Sequence, residues 1–278
     1  MAPTESSKGN APVPSTGFIH SLFSLPTTDS RVAHLNKILA TSSGVDTTLT
    51  LVGYSLSFVA SQIPHLEALS LRAHASPSLS SNAPKTQALA SGVVSPLTNL
   101  AISTKTLAGM CSDFRAFTRL WGLLGVYASV RKLQSAPPAD SVLHGLAWSQ
   151  TLSLAAYLVY ENGYYLAAKG VLRGWSAEKQ KRWAKTSLRM FLMYLILDWV
   201  KLFRMRQLRE EKKAKEGGVE ATKEEEAVWR RTATMDAAYT PVAMHWSSPN
   251  GMLSDAWVGA LMSVVGLIKF KTAWAQTA

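Results

Sequence analysis

The sequence has few charged residues. Asp, Glu, Lys and Arg make up 17% of its 278 residues, whereas hydrophobic residues make up 47%. Soluble domains usually have about a quarter of their residues charged. A chain with so few charges has little surface to present to water. The composition therefore favours contact with a membrane, with a large oligomer interface as the other explanation.

Cysteine is nearly absent as well. The single thiol, Cys111, makes no intrachain disulfide, and no Asn-x-Ser/Thr glycosylation site occurs. The first residues lack the basic start and apolar run of a secretory signal, and the last residues lack the Ser-Lys-Leu address. We therefore expect a protein that is made in the cytosol and reaches its membrane through internal signals.

Motifs of catalysis are also missing. The sequence has no Gly-rich phosphate loop, no G-x-S-x-G elbow and no H-E-x-x-H pair. Its six histidines stand far apart, and Cys111 sits beside an apolar helix face, as packing residues do. We predict that the protein is not an enzyme and has no catalytic residue, cofactor or metal site.

The periodicity of apolar residues predicts an all-α, membrane-associated protein with amphipathic surface helices and two or three apolar membrane-embedded helices. We predict a disordered tail over 1–28 and one helical membrane-remodelling domain over 29–274. A Ser/Pro-rich linker over 74–96 and a charged, solvated linker over 206–231 interrupt this domain. The amphipathic helices are predicted over 31–72 and 104–133, and the apolar helices over 141–172, 188–205 and 252–274.

Each predicted amphipathic helix has an apolar stripe with steps of three and four residues. Such a stripe either packs on a helical core or inserts into one leaflet. Both interpretations hold if the stripe packs at rest and moves into lipid when the protein is active. The first stripe comprises Val45, Leu49, Val52, Leu56, Val59, Ile63 and Leu66, and the second Leu107, Met110, Phe114, Phe117, Trp121 and Leu124.

The positive charge is concentrated in one segment. Residues 169–215 hold fourteen Lys or Arg against four Asp or Glu, and the whole chain has a net charge of +11. Since these cations flank an apolar helix, they predict an anchor for anionic lipid rather than a nucleic-acid interface. The predicted anchor residues are Lys179, Lys181, Arg182, Lys185, Arg189, Lys201, Arg204 and Arg206.

Two further patterns lie in the apolar segments. Gly259, Ser263 and Gly266 are small residues at spacings that allow close helix–helix contact in a membrane. Glu161 and Asn162 interrupt the apolar helix 141–172, where a carboxylate is costly unless it is paired. We expect Arg115, Arg119 or Arg189 to pair with Glu161. A functional polar site at Glu161 is the alternative.

The order of these segments resembles the fungal branch of the peroxin-11 family. The similar pieces are HLNKILATSSGVDTTLTLVGY, SDFRAFTRLWGLLGVY, YLVYENGYYLAAKGVL and HWSSPNGMLSDAWVGALMSVVG, spread over residues 34–274. Where the family has Gly-Arg-Asp, this chain has Gly44-Val45-Asp46. The polar residues that carry the resemblance are Lys37, Asp46, Arg115, Arg119, Glu161 and Asn162.

The resemblance implies a peroxisomal membrane protein that promotes membrane elongation, fission and proliferation of peroxisomes. It also implies self-association into a homo-oligomer and recruitment of fission-machinery proteins. Insertion of an amphipathic helix would supply membrane curvature, with anionic membrane lipids as the partner and no nucleic acid. Two alternatives stay open: a small pore or metabolite channel around Glu161, and a membrane-anchored adaptor that recruits division machinery.

Overall fold

The computed structural model describes residues 26–74, 96–215 and 223–277, which form helices and no strand. The tail and the Ser/Pro-rich linker of the sequence analysis fall almost entirely outside these residues. We number the helices in chain order. They are α1 (Pro26–Leu39), α2 (Ser42–His74), α3 (Pro96–Thr118), α4 (Gly122–Ser135), α5 (Ser141–Ala168), α6 (Ala177–Lys215), α7 (Lys223–Ser247) and α8 (Asp255–Thr277).

Local sequence explains several helix ends. Asp140 caps α5 because its carboxylate accepts from the Leu143 N–H at 2.8 Å. Ser176 caps α6 in the same way, through the Lys179 N–H at 3.2 Å. At the corner between α1 and α2, a Cβ on Gly44 would lie against the Ile38 carbonyl oxygen, so this corner requires glycine.

The helices pack in a continuous series. α3 lies on α2, α2 on α8, α8 on α7, α7 on α6, and α6 on α5. α4 packs on α5, and a 3-10 turn (Arg119–Trp121) joins α3 to α4 and also contacts α5, which closes the series into a ring. The apolar core lies between α7 and α8. Its buried members are Ala238, Val242, Met262 and Val265.

One described helix, α8, is long and apolar enough to cross a membrane by its length and composition. Only 22% of its most apolar stretch is fully buried, and most of the remaining residues of the stretch are partly buried against α2 and α7. The charged segment 206–231, predicted as a solvated linker, is helical in its described parts. These parts extend α6 and begin α7, and most of their side chains are exposed.

Candidate functional site

The outer faces of α3 and α4 expose large apolar side chains. Met110 is 65% exposed and Leu124 is 68% exposed, and Phe117 and Trp121 meet edge to face at 5.3 Å. An exposed apolar patch of this kind marks a contact with another protein or with a membrane. We call the set the α3–α4 stripe. Its members are Leu107, Met110, Phe114, Phe117, Trp121 and Leu124.

The predicted α2 stripe is divided between packing and exposure. Ile63 is buried and Leu49 and Leu56 are partly buried, whereas Val52 and Val59 are exposed. Val45 is partly buried and Leu66 is exposed. The α2 helix therefore uses half of its stripe to pack inside the protein, unlike α3, whose stripe faces outward along its whole length.

The inner face of α3 is held by a buried arginine. Arg115 is 8% exposed, its Nε donates to Asp46 Oδ1 at 2.9 Å, and its guanidinium lies 5.6 Å from the Tyr54 ring centre. One turn earlier, Cys111 is buried and packs against Gly53, as expected for a packing thiol. Arg115 therefore fixes α3 on α2 and turns the α3–α4 stripe outward.

A second arginine fixes the 3-10 turn on α5. Arg119 Nε lies 2.8 Å from Glu161 Oε2, which confirms the expected ion pair at Glu161. Both atoms are buried, and the contact is a close charge pair. Burial on its own lowers the pKa of Arg119, but the electrostatic interactions with Tyr157 and with the Glu161 carboxylate outweigh it and the pKa is raised. Arg119 therefore stays charged, and Glu161 neutralises it.

Four of the six polar residues that carry the family resemblance thus form two ion pairs, Asp46–Arg115 and Arg119–Glu161. The two arginines are four residues apart along the chain. Asn162 lies beside Glu161, and its Oδ1 is buried without a hydrogen-bond partner among the described residues. Lys37 lies elsewhere: its Nζ donates to the Thr277 carbonyl at the end of α8, at 3.4 Å. A cation is stabilised at the carboxyl end of a helix, which explains why the Lys37 ammonium lies at the end of α8.

The predicted basic anchor is divided between the two ends of the α6 core. Near the start of α6, Lys181, Arg182 and Arg189 are exposed. Lys179 lies 4.0 Å from the Trp175 ring centre, and Lys185 donates to the Ser248 carbonyl at 3.1 Å. Trp175 and the neighbouring cations are side chains of the kinds found at a membrane–water interface.

Beyond the centre of α6 the anchor residues are in ion pairs. Arg204 bonds Asp140 at 2.7 Å, Lys201 bonds Asp198 at 3.1 Å, and Arg206 bonds Glu210 at 3.2 Å. Hydrogen bonds from Arg204 lower the pKa of Asp140, which keeps this pair charged. Arg204 therefore serves the fold through a largely buried pair, whereas the pair of Arg206 is exposed.

The predicted small residues of α8 all face α2. Gly259 lies against the backbone of Phe58, Gly266 lies against the backbone of Leu51, and Ser263 lies 3.4 Å from Ser55 through the two hydroxyls. The close helix contact is thus made within one chain.

One buried polar cluster went unrecognised in the sequence. Asp198 and Asp236 are 6% and 5% exposed and lie on α6 and α7. Asp198 accepts from Gln150 of α5 at 2.7 Å, whereas Asp236 Oδ2 has no hydrogen-bond partner among the described residues. Burial and the charge of Asp198 raise the pKa of Asp236 to about 7. Asp198 stands alone in the predicted apolar helix 188–205, but the helix of Asp236 was not predicted, and spacing alone does not pair residues on different helices.

The described residues offer no cluster of metal ligands. Cavities of about 240 and 420 Å³ lie along the groove between α2 and α3, and both are lined by Ser57 and Lys105. The main feature of the site is α3, which Arg115 fixes on α2 and which has an apolar outer face.

Comparison with known proteins assigns the chain to a family. Residues 94–274 match the family model described as peroxisomal biogenesis factor 11 (PEX11), which is well over half of the chain and includes α3 to α8. No match was found among curated proteins or among solved structures. The chain therefore belongs to the peroxisomal biogenesis factor 11 family, and it is a peroxisomal membrane protein with a general role in peroxisome biogenesis.

Proposed function

We propose that this protein elongates the peroxisomal membrane, and so promotes fission and proliferation of peroxisomes, by inserting the α3–α4 stripe into one leaflet. The observation that carries the proposal is the exposure of all six stripe residues while the opposite face of α3 is fixed by Arg115. A soluble protein gains nothing from six large apolar side chains in water, but a lipid surface buries them.

The physical effect is an expansion of one leaflet. A helix that lies about 5–10 Å deep in the interface separates headgroups on its own side only, which favours positive curvature. Full burial of a large apolar side chain contributes about 1.5 to 3 kcal/mol. The six side chains of the stripe therefore supply enough free energy for stable insertion. Self-association would concentrate the effect in one patch of membrane.

Anionic lipid is the proposed partner. The exposed cations at the start of α6, Lys181 and Arg182, together with Lys179 above Trp175, provide positive charge beside aromatic rings. Each cation near an anionic surface contributes about 1 kcal/mol, and salt weakens this contribution. We expect binding to phosphatidylserine vesicles to be stronger than binding to neutral vesicles and to weaken as salt rises.

The test replaces Met110, Phe114 and Leu124 together by Ser. These side chains are exposed, so the variant should fold, which circular dichroism and the unfolding temperature will show. We expect at least a tenfold loss of vesicle affinity and no elongation of peroxisomes in cells that lack the native protein. The matched control replaces Val228, Met244 and Met252, which are exposed outside α3 and α4, by Ser. Equal vesicle binding and elongation by the stripe variant and the control variant would overturn the proposal.

A second candidate function, as an adaptor for division proteins, is favoured by the exposed charged ends of α6 and α7. Deletion of 206–231 would abolish proliferation but leave vesicle tubulation unchanged if these ends recruit a partner.

A pore around Glu161 is favoured less, because Arg119 neutralises that carboxylate. If a pore exists there, the conductance of planar bilayers should fall for Glu161→Gln.

A further inference from the structure

α3 and α4 form one helix with a tightened turn in its middle. Thr118, Trp121 and Gly122 all have right-handed helical dihedral angles, and Trp121 has φ −87° and ψ −1°. Neither Thr118 nor Trp121 makes a side-chain capping hydrogen bond, whereas α5 begins at the capped residue Asp140. A short 3-10 segment inside an α-helix often marks a hinge.

Ideal 3-10 geometry puts the two halves of the α3–α4 stripe out of line. In sequence, the stripe runs through the turn with steps of three and four residues, as in one uninterrupted α-helix. A 3-10 residue advances by about 120° and an α-helical residue by about 100°, so three residues rotate the second half by about 60°. A leaflet surface fits a straight line of side chains better than two lines that diverge.

α5 holds the turn at two neighbouring points. Glu161 pairs with Arg119 at 2.8 Å, and Leu158 packs on Gly122 so closely that a Cβ there would lie 2.8 Å from Leu158 Cδ2. Leu158 and Glu161 are three residues apart and therefore share one face of α5. The contacts of α5 thus lie at the first residue of the turn and at the residue that follows it.

We propose that the Arg119–Trp121 turn is a hinge held in the 3-10 conformation by the Arg119–Glu161 ion pair, and that release of this pair at a lipid surface aligns the α3–α4 stripe along one regular α-helix. This inference rests on the proposed function, since lipid is the partner of the stripe. Arg119 and Glu161 are positioning residues, because they join the turn to α5 and act on lipid only through the direction of α4.

A reversible lock tests the hinge. In a Cys111→Ala background, Gly122→Cys with Leu158→Cys allows a disulfide across the contact that holds the turn. The full-length protein is bound to phosphatidylcholine–phosphatidylserine vesicles, before and after reduction by dithiothreitol. We expect the reduced form to bind several-fold more tightly and to tubulate vesicles, and the oxidised form to bind weakly. Equal binding and tubulation by the two forms of this preparation would overturn the hinge.

Glu161→Gln gives a second test because it removes the charge and keeps the volume. We expect faster hydrogen exchange at residues 119–125 in detergent, and several-fold tighter vesicle binding. The control is Glu210→Gln, which breaks the exposed pair with Arg206 and should change neither quantity. Unchanged exchange and unchanged affinity for Glu161→Gln would contradict the hinge even if the disulfide variant failed to fold.

The two proposals fail in different ways. If the Ser variant of the stripe loses vesicle binding but the lock has no effect, lipid contact stands and the hinge is wrong. If the Ser variant binds vesicles as the native protein does, the stripe is not the lipid contact, and the proposed function fails first.

Discussion

Gly259 of α8 lies directly against Phe58 of α2, where an added Cβ would come within 2.8 Å of the Phe58 backbone nitrogen. The obstacle is main chain, which moves less easily than the end of a flexible side chain. Seven residues later, Gly266 meets the backbone of Leu51 in the same manner. The two helices can pack this closely only because glycine stands at both points.

This contact predicts opposite effects for the same substitution at two glycines. Gly259→Ala should destabilise the protein by about 1 to 3 kcal/mol, because overpacking forces the backbone apart. Gly145→Ala is the matched control: Gly145 is exposed in α5 with no atom near its Cβ position, and alanine there should stabilise by up to about 1 kcal/mol. Thermal unfolding in detergent measures both, and a stability gain at Gly259 would refute the contact.

A second prediction concerns the buried ion pair under α3. Asp46→Asn leaves the Arg115 charge buried without its partner, which should cost about 3 kcal/mol. Arg115→Met in the same chain removes the charge and should restore much of this loss. Lys105→Met breaks a pair with Asp255 whose side chains are 75% and 76% exposed, so it should cost less than about 1 kcal/mol. Equal losses of unfolding free energy for Asp46→Asn and Lys105→Met would show that burial of the pair has no effect.

Periodicity predicts much of this fold, because a helix that buries one face must repeat its apolar residues every three to four positions. That rule located α2, α3 and the apolar helices, and the cost of a lone carboxylate predicted a partner for Glu161. The rule does not say which stripe meets protein and which meets lipid, since Leu49 and Met110 have the same pattern. The Asp198–Asp236 pair could not be predicted from the sequence either, because it depends on how α6 packs against α7.

The third prediction is a pH dependence of stability. The pKa of Asp236 is about 7 in the folded protein, well above the usual 3.8, because of burial and the charge of Asp198. The folded state therefore holds a proton that the unfolded state releases near pH 4. Its stabilising effect is complete below pH 4 and is lost as pH rises to about 7.

The size of this effect follows from the shift. About three pKa units correspond to about 4 kcal/mol at most, and Asp198 and Asp236 share this effect because they titrate as a pair. The Asp236→Asn variant has no titrating proton at this position. Between pH 4 and pH 8, the native protein should therefore lose about 2 to 4 kcal/mol more unfolding free energy than the variant does. Denaturant unfolding at several pH values measures the difference. Parallel profiles for the two proteins would mean that Asp236 titrates normally.

The last prediction separates the two halves of the α2 stripe. Replacement of the packed residues Leu49, Leu56 and Ile63 by Ser, one at a time, should destabilise the protein, by about 2 to 5 kcal/mol at the buried Ile63 and by less at the other two. Replacement of the exposed residues Val52, Val59 and Leu66 by Ser should change stability by less than about 0.5 kcal/mol each.

Vesicle binding by the exposed α2 variants then decides whether α2 shares the lipid contact. We expect the combined Val52, Val59 and Leu66 variant to lose less affinity than the α3–α4 stripe variant, because valine has a smaller apolar area than Phe or Met and the α2 stripe is interrupted by its packed residues. A larger loss from α2 would make α2 the main lipid contact. If only the variants at Leu49, Leu56 and Ile63 lose membrane remodelling, and their unfolding temperature is lowered, the loss results from unfolding and not from a missing lipid contact.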